Sequence, residues 1–464
     1  MITSAYFGVL AVACLIAFIN WHQAVYWAIA LDFARDPVRK LDPNESVLIT
    51  ISVLILWGCI SIAAWVESRG WVKATLREHP MIHSALRFMA IALVPGCIMS
   101  LALYADGYKM VALGVVSYLA PAAGIMLGYL IALRPDRIRR FLQFYCVVNG
   151  VALIGVLAEY SQANWPAIGG LRGMNWIRYS GNETVELIGG FYRSPDIMGL
   201  HAAQVVMFAL TLATYARRRL TPLWLALAVF GSLCLLLSGR RKMLGMPLVF
   251  LASLALLCHL RAIRRFRQAA IPVVASAALA AGIYLVSTED YVSTEYMNYA
   301  STLFTEGAER YTEIVSGSIA STIAQSGLVG EGIGSATQGA YHFVGEHRDP
   351  FARDLHRGWQ EDGVSRVFRE LGVFGVAFVL LAGWALTMGL RDAVTQTPAH
   401  WRDAVLQLCL ISIVVANLAS FTVSHQQYSG DPPSALLVLI MLGFVLALSP
   451  TRSIRALRRL PGFQ

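Results

Sequence analysis

Three short stretches of this 464-residue chain carry the residue types that binding an anion and moving a proton require. Gly239-Arg240-Arg241-Lys242 sets three cations side by side between two apolar runs. Arg193 stands directly before Ser194-Pro195-Asp196, where the serine reads as a helix cap and the proline as the first helical residue. Glu361-Asp362 comes just ahead of Arg366 and Arg369, which share a helical face at i, i+3. Guanidinium forks match phosphate oxygens and stay charged. A carboxylate held above a basic cavity is what a general base requires. Each stretch also has a plainer reading. The cationic turn can snorkel to lipid headgroups, Arg193 can pair with Asp196 or Glu186, and Glu361 and Asp362 can pair with Arg366 and Arg369. The segment 341–358 holds His342, His347, Asp349, Asp354 and His356, spacings that could take a metal but suit a solvated loop better.

The elements that must position these residues are membrane helices. The chain is 57% hydrophobic and only 14% charged, whereas a soluble domain averages roughly 25% charged residues. That excludes a soluble enzyme, a disordered protein and a soluble nucleic-acid binder, and it implies a bilayer as partner. The seven cysteines all lie in apolar runs with no CxxC pair, so neither a disulfide framework nor a zinc site is expected.

Twelve stretches are apolar enough to span: 4–20, 47–66, 86–104, 110–133, 141–160, 196–215, 222–239, 243–260, 270–287, 367–390, 404–423 and 433–449. The stretch 21–34 is too short and rich in aromatic residues, which suits an interfacial or re-entrant piece. The N-terminal MITS has no basic region, so the first span reads as a retained helix. Arginine-rich segments at 134–140, 216–219, 261–267 and 451–464 fall on one side if the spans alternate. By the positive-inside rule that side is the cytoplasm, with both termini on it. The net charge of +9 is then a topogenic signal with no bearing on nucleic acid. The fold class is all-α, polytopic, with about twelve transmembrane helices and one large outward loop. It divides into a first bundle (1–287), the loop (288–366) and the last three helices with a basic tail (367–464).

The outward side then holds the loops 161–195 and 288–366. In the second, Val315, Ile319 and Ile323 recur at i, i+4, i+8, the stripe of an amphipathic helix lying over the bundle mouth. Gly330-Glu331-Gly332-Ile333-Gly334 follows, and its glycines permit tight turns or close backbone approach. No strand precedes it, so it is not a nucleotide-binding fingerprint.

The order of these motifs resembles a known family. An Arg-Ser-Pro-Asp-x-x-Gly helix start, an outward Ser-Gly-Arg-Arg turn and a large outward loop with Gly-x-Gly-x-Gly precede a closing helix with Glu-Leu-Gly-Val-Phe-Gly (Glu370 to Gly375). This looks like the O-antigen ligase/polymerase (Wzy/WaaL-like) family of integral membrane glycosyltransferases, over roughly 190–390. The resemblance implies a GT-C-like fold and undecaprenyl-diphosphate-linked glycans as substrates on the periplasmic side of the bacterial inner membrane. It also implies Arg193, Arg240 and Arg241 as diphosphate-binding residues, with Asp196, Arg366 and Arg369 supporting. The ligase branch carries a His-Asn pair nine residues before the glutamate; here Glu361 and Asp362 stand there, which points toward a polymerase with a carboxylate as base.

The expected activity is thus an inverting polysaccharide (O-antigen or exopolysaccharide) polymerase that needs no cofactor or metal and works beside a chain-length regulator. A ligase acting on lipid A–core or another acceptor is the nearest alternative. A flippase for lipid-linked sugars would show internal repeats and mid-membrane charges, and the sequence has neither. A metal-dependent transferase would draw on Asp32, Asp36 and Asp42 of the first outward loop.

Overall fold

The computed structural model describes residues 2–44, 46–171, 176–180, 183–215, 219–260, 312–337, 340, 361–395 and 401–448. Among these, nine helices are long and apolar enough to cross a membrane, and two shorter apolar helices, Thr221–Leu237 and Pro432–Leu448, join them. The chain is an α-helical protein of the polytopic membrane kind. Eleven of the twelve expected spans fall on these nine and two helices. The twelfth, 270–287, lies outside the described residues, as do the basic segments 261–267 and 451–464 and the polar stretch 341–358.

Two compact units, each assembled from separate stretches of chain, make up the fold: Met1–Ala64, Arg134–Glu306 and Ala399–Ala416 in the first, Trp65–Leu133, Gly307–Pro398 and Asn417–Gln464 in the second. Each unit therefore draws on more than one of the three sequence-order divisions expected above.

The first unit contains α1 (Ile2–Ile19), α2 (Trp21–Leu41), most of α3 (Val47–Glu67), α7 (Pro135–Ala152), α8 (Ile154–Tyr160), α9 (Pro195–Tyr215), α10 (Thr221–Leu237) and α11 (Arg241–Leu260). Helix α9 is its centre, packed on α7, α10 and α11. Its run of Ala202, Ala203, Val205 and Val206 is fully buried, and Gly231 of α10 lets the two backbones close up. On α1 the outward residues are apolar: Val12, Leu15, Phe18 and Ile19 are each more than half exposed. An unbroken apolar outer face of this kind is what a helix facing lipid carries.

Two sequence expectations are corrected in this unit. The stretch read as a short piece at 21–34 is a 21-residue helix, α2, that runs on to Leu41. Asn20 caps it by accepting from the Gln23 N–H at 3.2 Å, and Arg39 and Lys40 complement the dipole at its far end. It does not read as a span because Asp32, Arg35, Asp36, Arg39 and Lys40 crowd its second half. The loop at 161–195 contains an antiparallel hairpin, β1 (Trp176–Ser180) and β2 (Glu183–Leu187), registered Trp176 to Leu187 and Ser180 to Glu183. The alternation of exposed Thr184 and Glu186 with buried Val185 and Leu187 is the signature of a half-buried strand.

The second unit holds α4 (Arg69–Glu78), α5 (Pro80–Leu103), α6 (Gly107–Ile131), a π-helical turn (Thr312–Gly317), α12 (Ser318–Ser326), α13 (Gly363–Thr395), the end of α14 (Trp401–Val423), α15 (Gln426–Ser429) and α16 (Pro432–Leu448). Gly124 and Gly128 on α6 and Gly443 on α16 press backbone on backbone, for a Cβ at any of them would strike the opposite helix's carbonyl. Helix α5 packs on α13. The glycine-rich stretch is part of this core. The Ile333 N–H donates to Gly96 O at 3.0 Å, the Ser100 hydroxyl to Ile333 O at 2.7 Å and the Val373 N–H to Leu328 O at 2.9 Å. Ile333 is fully buried among Met89, Leu93, Tyr118, Val367 and Leu371. Gly330, Gly332 and Gly334 all have positive φ, and a Cβ at any of them would collide with Gly372, Ser100 or Met110. Only glycine fits such a strap.

The expected amphipathic stripe is also corrected. Val315 is buried, but Ile323 is 49% exposed, and the inward residues of α12 are Ser318 and Thr322. The π-helical turn carries an extra residue per turn, which shifts the phase of the helix that follows.

The α6–α16 contact makes a clear prediction. Gly128→Val should lower the detergent unfolding temperature and the yield of monodisperse protein, as an overpacked core costs about 1–3 kcal/mol. Gly8→Ala, with nothing within 4 Å of the new Cβ, should leave both unchanged. Fluorescence-detected size exclusion after heating reads the two.

Candidate functional site

In the first unit, the loop before α9 is held by charged side chains from two helices. Asp36 of α2 accepts from the backbone N–H of Arg193 at 3.0 Å and from its guanidinium at 3.3 Å. Lys40 donates to the carbonyls of Gly190 and Tyr192, each at 2.7 Å. Glu159 of α8 accepts from the N–H groups of Gly189 and Gly190, at 3.1 and 2.5 Å. Gly190 has φ of +60° and sits against the Val156 backbone, so the loop's turn needs glycine. Arg35, 2% exposed, pairs with Asp32 at 3.0 Å and donates to Thr50 O at 2.8 Å. Arg193 forms an ion pair with Asp36, which lies far in sequence from the Asp196 and Glu186 considered as its partners. Asp32 and Asp36, two of the acids considered for a metal, are both neutralised by arginines. The third, Asp42, accepts from the Ser46 N–H at 3.2 Å.

Asp196 lies in the first turn of α9, where the dipole favours an acid. It pairs with Arg240 at 2.7 Å and with Lys242 at 3.7 Å. The cationic turn 239–242 thus meets the start of α9. Gly239 has φ of +58°, and the Arg240 N–H is taken by the Ser238 hydroxyl at 3.1 Å. Arg240 is 7% exposed and lies 5.8 Å from the ring centre of Trp176 on β1. Arg241 is the first residue of α11 and is half-buried. Of the three diphosphate candidates, Arg240 and Arg241 share one turn, and Arg193 stands three residues before the acid that holds Arg240.

In the second unit, Asp362 is fully buried, and one oxygen accepts from the Ser365 N–H at 2.7 Å, the geometry of an N-cap on α13. Its other oxygen has no partner among the described residues. Glu361 is half-buried, and its carbonyl accepts from the His425 N–H at 2.8 Å. Neither acid forms an ion pair with the supporting arginines. Arg366 runs instead to the Ser117 hydroxyl at 2.7 Å, the Thr337 hydroxyl at 3.0 Å and Glu370 at 3.5 Å, over the face of Tyr118. Arg369 pairs with Glu331 of the glycine strap at 2.7 Å. Glu370, fully buried, also accepts from the Thr337 hydroxyl at 2.8 Å and the Ala336 N–H at 3.2 Å.

Sequence reasoning missed Lys40, Glu159, Trp176 and Glu370 as parts of these networks. The hairpin was legible, since Gly181-Asn182 between two β-prone runs is a hairpin signal. The partners of Lys40 and Glu159 are carbonyls and amide N–H groups distant in sequence, which no spacing rule reaches. No family model matches the chain, and no curated protein matches it.

Two predictions follow from these networks. Burial pushes the Lys40 ammonium down to about 8 from its usual 10.5, against the pull of Asp36 and Glu159. Between those values the unfolded chain holds a proton that the folded one has released, so this residue's contribution to stability rises with pH across that window. Lys40→Met removes a donor from two carbonyls, Gly190 O keeping the Gly169 N–H at 3.2 Å, and should melt below wild type. The gap in detergent unfolding temperature should widen from pH 7.5 to 9.5; a gap that narrows would contradict the burial. At the start of α13, Asp362→Ala should destabilise by about 0.5–2 kcal/mol, and Asp362→Asn by much less, because asparagine caps equally well. Thermal unfolding of both variants checks this.

Proposed function

We propose that this protein is a polysaccharide polymerase of the inner membrane, acting at its periplasmic face. In this reading twelve spans place both termini in the cytoplasm, and the site helix starts face outward. The enzyme takes two glycans linked through diphosphate to undecaprenol and joins them. A hydroxyl at the non-reducing end of one repeat unit attacks the anomeric carbon of the growing chain. The new glycosidic bond forms as the bond to the diphosphate breaks on the opposite face, which inverts the centre. Glu361 accepts the hydroxyl proton, and the diphosphate leaves with the bonding electrons. Of the two adjacent acids, Glu361 is the better base in this reading because Asp362 is buried as a cap.

The observation that carries the reading is the gathering of arginines at two helix starts in the first unit, Arg193 before α9 and Arg240 before α11. Buried guanidinium groups stabilise charge as it builds on a departing diphosphate, and they need no reorganisation to do so. The donor arrives activated, so the reaction calls for neither a nucleotide sugar nor a metal. A chain-length regulator is the expected protein partner.

In a host lacking the native gene, Arg193→Ala and Arg240→Ala should each insert normally yet leave single repeat units on the lipid carrier. Glu361→Gln should slow chain extension by about 10²–10⁴-fold. Gel profiles of the extracted glycan read both. Normal chain lengths from either arginine variant would sink the assignment, and glycan on an acceptor lipid or protein would turn it into a ligase.

A further inference from the structure

The hairpin brings a donor to Arg240 that the sequence did not suggest. At the end of β2, the Ile188 N–H donates to the carbonyl of Leu237 at 3.3 Å, two residues before the Gly239 turn. Trp176, opposite Leu187 in the register, is thereby set beside the Arg240 guanidinium. Both residues have an N–H left over. Arg240 Nε and Trp176 Nε1 are buried and have no acceptor among the described residues. Arg240 as a whole is more than nine-tenths buried.

These two groups are donors only, so no rotation or tautomer can satisfy them with one another. Buried donors are seldom left unpaired in a native fold, because each costs free energy comparable to a lost hydrogen bond. What is missing among the described residues is an acceptor. Its charge follows from the surroundings: the acceptor faces the Arg240 guanidinium, and α11 starts at Arg241 with its N-terminal dipole end at the same place. We infer that Trp176 is a binding residue of this site. Its indole N–H and the Arg240 Nε–H jointly hold the oxygens of a phosphate group, which on the proposed function is part of the lipid-linked diphosphate. The hairpin then carries a wall of the binding site.

The test is equilibrium binding by calorimetry of the full chain in phosphatidylcholine nanodiscs, titrated with farnesyl diphosphate and, separately, with inorganic pyrophosphate. Trp176→Phe keeps the ring and removes only the N–H. It should weaken farnesyl diphosphate binding about tenfold, the worth of one hydrogen bond to a charged group. Trp176→His, which restores a ring N–H, should recover part of the loss. Equal weakening toward pyrophosphate would identify the phosphate oxygens as the recognised group; weakening toward the isoprenyl probe alone would assign the site to a lipid-borne phosphate. Binding of Trp176→Phe within twofold of wild type, or no binding by wild type, overturns the inference. Should Trp176→Phe not fold, photolabelling of the unaltered chain with a benzophenone-bearing isoprenyl diphosphate decides: label on 176–187 supports the assignment, and label elsewhere alone overturns it. The proposed function fails by a separate result. If the probe binds through Trp176 while Arg240→Ala still extends chains in the host, the phosphate site stands and the polymerase reading falls.

Discussion

A charge removed from water into an apolar bundle persists only if it is paired and its remaining hydrogen-bonding positions are filled. The ion pair of Asp36 with Arg193 shows how far that requirement reaches in the first unit. Asp36 can hold Arg193 only because α2 continues past the apolar stretch to place two acids and three bases at 32, 35, 36, 39 and 40. Arg35 answers Asp32, Lys40 answers two loop carbonyls, and Glu159 answers two amide N–H groups from the opposite side. The loop that leads into α9 is thus fixed by ionic contacts at both faces, and α9 starts where that loop leaves it.

The second unit meets the same requirement differently. Arg366 and Glu370 form a buried pair one helical turn apart on α13, and hydroxyls from α6 and from the strap add hydrogen bonds to it. The pair therefore clasps three pieces of chain that are far apart in sequence. Arg369 adds a second clasp to the strap through Glu331. The glycines make this possible: Gly330, Gly332 and Gly334 let the strap lie against helix backbones at Ser100, Met110 and Gly372, and Gly372 in turn breaks the helical dihedrals of α13 where the strap passes.

Much of this was legible in the sequence, and the reasons for what was not are physical. Span positions follow from apolar runs, so eleven stretches landed on helices. The helix start at Pro195 and the tight turn at Gly239 follow from local chemistry at Ser194-Pro195 and from a glycine followed by three cations. Pairing is another matter. Nothing near Arg193 in the chain announces Asp36, because the contact is made by two elements that meet only in three dimensions. The same holds for Glu331 with Arg369, while Glu370 was noticed only as a motif letter because a buried carboxylate needs partners the motif does not contain. Helix α12 failed for a different reason: a hydrophobic period assumes one uninterrupted helical phase, and the π-helical turn at Thr312–Gly317 breaks it.

The way α6 meets α16 has a consequence for how the chain is made. The glycine face of α6 is complete early in synthesis, but the helix that covers it is the last one described in the chain. Until α16 emerges, that face has only lipid or a chaperone to lie against. The strap imposes a similar wait on α5, whose Gly96 and Ser100 receive Ile333 much later. Assembly of the second unit is therefore a late, post-insertion event, and a ribosome that stalls before α16 would leave in the bilayer a set of inserted helices with their closest-packing surface still open.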